Sequence, residues 1–269
     1  MKIWKLIILS IIQGITEVLP ISSSGHLILF KNLLNINYQG LDLEIFLHIG
    51  SLIAIIFFYR NDIFLLLKGT ISFLFSKEKN NYKNDFNLFI CLIISTLITG
   101  LFGLIFNNLI ETYLSNILVL PFSFLITSIL LFVTSSIKGK KEIKSISIRD
   151  SIRVGLFQVL GLIPGISRSG STIAGCKLSK FDNKSSVKYS YLLFIPITFA
   201  SFFLKILEFI KEPILMFPFY YYLISLCIVI IFTYFSLKFF IKKINSKTIN
   251  FFSYYLLILS ILIICYYFV

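Results

Sequence analysis

The chain has 269 residues, of which 57% are hydrophobic and only 14% are charged, and its mean hydropathy is +0.92. This composition excludes a soluble globular domain and indicates an integral membrane protein that lies in a phospholipid bilayer. The net charge of +13 does not indicate a nucleic-acid partner, because Lys and Arg stand in short gaps between apolar runs and form no single basic segment.

The first apolar segment, residues 3–33, is interrupted by Gln13, Glu17 and Pro20 and then by a run of serines. Its uninterrupted pieces are shorter than the roughly 20 residues that a helix needs to cross a bilayer. The segment therefore predicts a re-entrant helical hairpin that enters the membrane and returns to the same face. The same polar residues argue against removal of the segment as a signal peptide, so we expect it to be retained.

The remainder of the chain predicts an all-α polytopic membrane protein with one integral membrane domain, residues 1–269. A second segment, residues 150–178, is broken by Pro, Gly and Ser like the first and predicts a second re-entrant hairpin. Six other segments are apolar and long enough to cross a bilayer. These predicted spans are residues 43–60, 87–107, 115–137, 186–209, 216–240 and 250–268.

The basic residues predict the orientation of the chain in the membrane. Of the 25 Lys and Arg residues, 19 lie in the gaps 60–86, 138–153, 177–188 and 238–247. Cytoplasmic loops carry such an excess, so these four gaps are predicted to be cytoplasmic loops. The second broken segment then enters from the cytoplasm and the first from the outside.

The two broken segments are similar in sequence at one fixed offset. A shift of 145 residues aligns Gln13 with Gln158, Ile21 with Ile166, Ser22 with Ser167, Ser24 with Ser169, Gly25 with Gly170 and Ile28 with Ile173. Each segment precedes three predicted spans, an odd number, so the two halves, approximately residues 1–137 and 150–269, form an inverted repeat. Chance recurrence of small residues at helix contacts is the weaker explanation.

The polar residues of the first broken segment predict an intramembrane reaction site. Gln13 and Glu17 are four residues apart and share one helix face. A carboxylate near the bilayer centre costs about 3 kcal/mol, so such residues usually line a cavity or a pathway. His26 follows the serine run, which favours a catalytic role, whereas His48 lies in a predicted span without a motif and is interpreted as a structural hydrogen-bonding residue.

The second broken segment predicts an anion site. Pro164 and Gly165 interrupt the helix, Gly170 permits close approach of the backbone, and the following helix begins with free N–H groups and the positive end of its dipole. Arg168 adds a planar guanidinium that suits phosphate oxygens. Hydroxyl donors are available from Ser167, Ser169, Ser171 and Thr172.

Two stretches, QGITEVLPISSSGH and PGISRSGST, resemble the signature motifs of the bacterial undecaprenyl-pyrophosphate phosphatases, the bacitracin-resistance family, and the hydropathy pattern agrees over the whole chain. The resemblance implies an inner-membrane hydrolase that converts undecaprenyl diphosphate to the monophosphate, recycles this lipid carrier for cell-wall synthesis and confers bacitracin resistance. It also implies functional roles for Ser23 and His26 in the first motif and for Ser167, Arg168, Ser169 and Thr172 in the second. The family has Glu or Gln where this chain has Gln13.

The expected site combines catalytic Glu17, Ser23, His26 and Arg168. Substrate-binding residues are Gln13, Ser167, Ser169, Gly170 and Thr172. The nucleophile is Ser23, His26 or a water molecule. A divalent cation, Mg²⁺ or Ca²⁺, would be held by Glu17 and by oxygens of the prenyl diphosphate.

Two other classes of protein remain as alternatives. A lipid-carrier flippase or secondary transporter would also have inverted repeats with broken helices. An acid-phosphatase-like lipid phosphatase would need a second His after the Ser-Arg motif, and none follows His48.

Overall fold

The computed structural model describes residues 3–36, 41–114, 116–211 and 218–268, and these ranges are helical apart from short connections. They contain the α-helices α1 (Ile3–Thr16), α2 (Ser23–Leu33), α3 (Leu41–Phe58), α4 (Arg60–Phe75), α5 (Lys79–Leu109), α6 (Leu120–Ser135), α7 (Ile148–Leu160), α8 (Arg168–Leu178), α9 (Asn183–Lys211), α10 (Phe219–Lys243) and α11 (Ser246–Phe268). The only β feature in the same ranges is an isolated bridge between Lys141 and Phe181. The all-α prediction is therefore confirmed.

Four helices, α5, α9, α10 and α11, are long and apolar enough to cross a bilayer, and they contain most of the predicted span 87–107 and of the last three predicted spans. Helices α3 and α4 meet at 73° and would add a fifth span if they are counted together. Helix α6 has 16 residues, which cover about 24 Å, less than the hydrocarbon core. The described residues thus contain four or five full spans where the sequence predicts six. Residues 115, 216 and 217, which begin two predicted spans, lie outside the described ranges.

Residues 60–75 form helix α4, although the sequence predicts a cytoplasmic loop there. Helix α4 folds back against α5, and a side chain at Gly69 would collide with Asp85 of α5, so this glycine allows the two helices to approach closely. Phe64 and Phe75 are exposed on the opposite face. An irregular loop was wrong for residues 60–75, because this stretch has few charges and its apolar residues form a helix that packs on α5. Its cytoplasmic location stays a prediction.

Both broken segments are pairs of short helices with a capped restart. Helix α1 ends at Thr16 and α2 begins after Ser22, whose hydroxyl accepts a hydrogen bond from the Gly25 N–H at 3.2 Å. Helix α7 ends at Leu160 and α8 begins after Ser167, which accepts from the Gly170 N–H at 3.0 Å. These serine caps satisfy N–H groups that the first turn of a helix leaves without backbone partners.

The helices of the two halves pack reciprocally. In the first broken segment α1 packs against α10, and in the second α7 packs against α5. Helix α3 packs on α10, α9 packs on α5, and α6 and α11 form a further pair. Each broken segment is thereby held by long helices from the other half of the chain, and this arrangement brings the two interruptions together.

Candidate active site

The two interruptions meet around a cavity of about 290 Å³. Its polar wall includes Glu17 and Ser22 to Ser24 from the first segment and Gln158 and Ser167 to Ser169 from the second. Apolar side chains line another part of the wall, among them Ile49, Leu162, Ile197 and Phe202. A cavity with a polar and an apolar part suits an amphiphilic ligand.

Direct contacts hold the two interruptions against each other. The Ser169 hydroxyl donates to the Leu19 carbonyl at 3.1 Å, and the Gly165 N–H donates to the Ser24 hydroxyl at 3.4 Å. Gly165 has a φ of +88°, a left-handed conformation that glycine adopts without strain. A side chain at Gly25 would lie 3.0 Å from the Gly165 Cα, so the missing side chains permit this close crossing.

Glu17 lies at the centre of the polar wall and is 6% exposed. Its Oε1 accepts from the Arg168 guanidinium at 2.5 Å. Its Oε2 accepts from the Ser23 hydroxyl at 2.6 Å and from the Gln13 amide at 2.7 Å. These donors stabilise a carboxylate that is removed from water. The Glu17 carboxylate thus brings together the predicted residues Gln13, Glu17, Ser23 and Arg168.

Arg168 is anchored on three sides at the start of α8. One nitrogen contacts Glu17, the other donates to Thr198 Oγ1 at 3.0 Å, and the guanidinium plane lies 4.1 Å from the centre of the Phe194 ring. Its side chain keeps 25% exposure toward the cavity. The arginine is thus a fixed cation at a surface that a phosphate can reach. Sequence reasoning missed Thr198 and Phe194, which belong to α9 and carry no local motif.

The other residues of the second motif divide between the cavity and the support of α8. Ser169 and Ser167 line the cavity, their hydroxyls lie 3.2 Å apart, and Ser167 also caps α8. The Gly170 N–H donates to the Ser167 hydroxyl in that cap. Thr172 hydrogen-bonds with the Ser190 hydroxyl at 2.6 Å and lines a second, smaller cavity beside Glu17 and Arg168. Ser167, Arg168 and Ser169 are therefore the polar members of this motif that line the larger cavity, together with Pro164 and Ile166.

His26 points away from the two cavities. Its Nδ1 lies 2.8 Å from the Ser22 carbonyl, its Nε2 lies 2.7 Å from the Tyr255 hydroxyl, and the ring stacks on Tyr255 with 5.8 Å between centroids. The residue is 3% exposed and does not line either cavity. The structure does not bring the imidazole to Glu17 and Arg168, so its catalytic role stays a prediction.

His48 contributes to the site although the sequence analysis interpreted it as structural. Its Nδ1 lies 3.4 Å from Glu17 Oε2 and 3.3 Å from the Gln13 amide nitrogen, and its side chain is 37% exposed where it lines the cavity. The argument that marked Glu17, a polar group in an apolar segment, applies equally to His48 and would have identified it.

The donor set does not fit a resident metal ion. Among the residues that line the larger cavity in the described ranges, Glu17 is the only carboxylate, and both of its oxygens already accept hydrogen bonds. The described part of the chain holds no group of three His, Cys, Asp or Glu residues arranged for a metal.

Comparisons with known proteins identify the family of the chain. The family model described as bacitracin resistance protein BacA matches residues 6–262. Similar proteins are undecaprenyl-diphosphatase 2 of Bacillus thuringiensis (strain Al Hakam), 37% identical over 93% of both chains, and undecaprenyl-diphosphatase of Oceanobacillus iheyensis, 33% identical over 91% of this chain and 90% of the other. The undecaprenyl-diphosphatase of Thermosipho africanus is 44% identical over 71% of this chain and 73% of its own. The chain belongs to the BacA bacitracin resistance protein family.

Proposed function

We propose that this protein is an undecaprenyl-diphosphatase: it hydrolyses undecaprenyl diphosphate to undecaprenyl phosphate and inorganic phosphate. This reaction recycles the lipid carrier for cell-wall synthesis and confers bacitracin resistance. The observation that carries the proposal is the contact chain from Ser23 through Glu17 to Arg168 inside one cavity. A nucleophile, a base and a cation within hydrogen-bonding reach are the parts that phosphoryl transfer needs. The names of the similar proteins agree with it.

The two parts of the cavity suit the two parts of the substrate. The diphosphate would lie against Arg168, Ser167 and Ser169, whose donors offset the charge of its oxygens. The prenyl chain would extend past Ile197 and Phe202 and leave the cavity sideways into the bilayer, where a long hydrocarbon is most stable.

Ser23 is the nucleophile that the geometry supports best. Glu17 takes the Ser23 proton, the Ser23 oxygen forms a bond to the terminal phosphorus, and the bond from that phosphorus to the bridging oxygen breaks. Undecaprenyl phosphate departs with the proton that Glu17 returns. Water then attacks phospho-Ser23, Glu17 accepts a water proton and delivers it to the Ser23 oxygen, and inorganic phosphate leaves.

We further propose the membrane arrangement expected from the sequence: six spans and two re-entrant hairpins, residues 3–33 and 150–178, in inverted halves in the bacterial inner membrane. Helices α2 and α8 support it, since they begin 145 residues apart, have the same length and carry equivalent serine caps. The reciprocal packing of α1 on α10 and α7 on α5 supports it as well. Helix α6 would complete the sixth span together with the connection before it.

Purified protein in detergent tests the proposed function. We expect release of inorganic phosphate from undecaprenyl diphosphate, and a loss of at least about 100-fold in Ser23→Ala, whose fold should persist because Ser23 is only partly buried on the cavity wall. A flippase or transporter needs two compartments and would release no phosphate under these conditions, so absence of phosphate release would refute the proposal.

A further inference from the structure

Gln158, on the last turn of α7, is 1% exposed and lines both cavities beside Glu17 and Arg168. Neither its Oε1 nor its Nε2 has a hydrogen-bonding partner among the described residues. Its counterpart in the repeat, Gln13, donates to the Glu17 carboxylate at 2.7 Å. Gln158 is therefore an amide with a donor and an acceptor available at the reaction site.

A buried amide without partners costs folding free energy, so a ligand that supplies them is the natural explanation for its position. Ionised phosphate oxygens can accept from Nε2 but cannot donate to Oε1. Water can do both. The smaller cavity, about 10 Å³, joins Gln158 to Glu17, Arg168 and Thr172, and this volume is close to that of one water molecule.

We propose that Gln158 orients the water that hydrolyses phospho-Ser23, an inference that rests on the function proposed above. Its Oε1 accepts one hydrogen of the water, and its Nε2 donates to an oxygen of the phosphoryl group. The water oxygen forms a bond to phosphorus and the bond from phosphorus to Ser23 Oγ breaks. The second water proton passes to Glu17 and then to the departing Ser23 oxygen, so inorganic phosphate and free Ser23 are restored. Gln158 is a positioning residue for the second step and leaves the first step to Ser23 and Glu17.

The experiment compares Gln158→Leu with a matched control, Ser171→Ala. Leucine has nearly the size of glutamine and cannot hydrogen-bond. Ser171 was a candidate hydroxyl donor in the sequence, but the structure places it outside the site: its buried hydroxyl has no partner among the described residues and it lines neither cavity. Both substitutions remove a buried polar group that lacks protein partners, so both variants should melt no lower than the wild-type protein in detergent.

Rapid-quench measurements would follow undecaprenyl phosphate and inorganic phosphate separately after mixing with undecaprenyl diphosphate. For Gln158→Leu we expect a burst of about one undecaprenyl phosphate per enzyme, then turnover about 100-fold slower than wild type, and phosphoserine at position 23 by mass spectrometry. Ser171→Ala should match the wild-type protein. A merely structural role for Gln158 would slow both products together or lower the melting temperature.

Wild-type turnover in Gln158→Leu, or slow release of both products without phosphoserine, would overturn the role given to Gln158 and leave the proposed function standing. If the wild-type protein released no phosphate, the proposed function would fail and this inference with it.

Discussion

The ion pair between Glu17 and Arg168 should dominate the local stability, and a double-mutant cycle measures it. Arg168→Met removes the one donor that Glu17 Oε1 has among the described residues, while Ser23 and Gln13 still donate to Oε2. Breaking one side of a buried ion pair costs about 3–5 kcal/mol. Because two donors remain, we expect a loss of about 3 kcal/mol in the free energy of unfolding.

The reverse substitution should cost less. Glu17→Gln leaves Arg168 with Thr198 Oγ1, the Phe194 ring and 25% exposure of its own side chain. We expect a loss of about 1–2 kcal/mol. The double variant carries no unpaired charge, so its loss should fall short of the sum of the single losses by about 2 kcal/mol.

Denaturant unfolding in detergent micelles would measure the three variants and the wild-type protein. Phosphate release should be lost in all three variants, although their free energies of unfolding differ. Additive losses, with a coupling below about 0.5 kcal/mol, would refute the view that the two side chains form a buried pair in the resting protein.

Three further predictions concern the close crossing and the two histidines. Gly25→Ala should lower the melting temperature in detergent, because the new Cβ would lie 2.5 Å from a ring atom of Phe124 in α6. The control Gly100→Ala should be neutral or should stabilise α5, because nothing lies within 4 Å of a Cβ at this position. His48→Gln should lower phosphate release about tenfold with little change in melting temperature, since it removes an imidazole from the polar wall; equal rates would exclude a role in the reaction. Tyr255→Phe removes one hydrogen bond from His26 and should lower the free energy of unfolding by about 1 kcal/mol, while the rate of phosphate release changes less than twofold. A large loss of activity would instead support a catalytic His26.

The helix interruptions were predictable because they depend on local chemistry. Pro20 cannot continue α1, and the serine and glycine that restart each second helix act within three residues of themselves. Glu17 and Arg168 could be selected for a related reason: a charge in an apolar segment is costly unless it has a partner, and each is the charged residue in the interior of its segment, whereas the other charges stand near the segment ends. The sequence alone therefore identified Glu17 and Arg168, the charged pair at the polar centre of the site.

The partners that come from distant helices were not predictable in the same way. Thr198 and Phe194 reach Arg168 only because α9 packs beside α8. The side of α2 on which His26 lies is likewise decided by the packing of α6 and α11, which place Phe124 and Tyr255 around its ring. Neither contact has a sequence motif, because neither depends on neighbours along the chain.

The Glu17–Arg168 pair also explains how the resting protein can be stable and still reactive. In the absence of substrate each charge satisfies the other, so neither remains unpaired in the apolar interior. A diphosphate that binds Arg168 carries more negative charge than the carboxylate and competes for the same guanidinium. In the proposed reaction Glu17 would then lose its Arg168 partner and become a better base for the Ser23 hydroxyl, which lies 2.6 Å away. Substrate binding would in this way activate the base that the reaction needs.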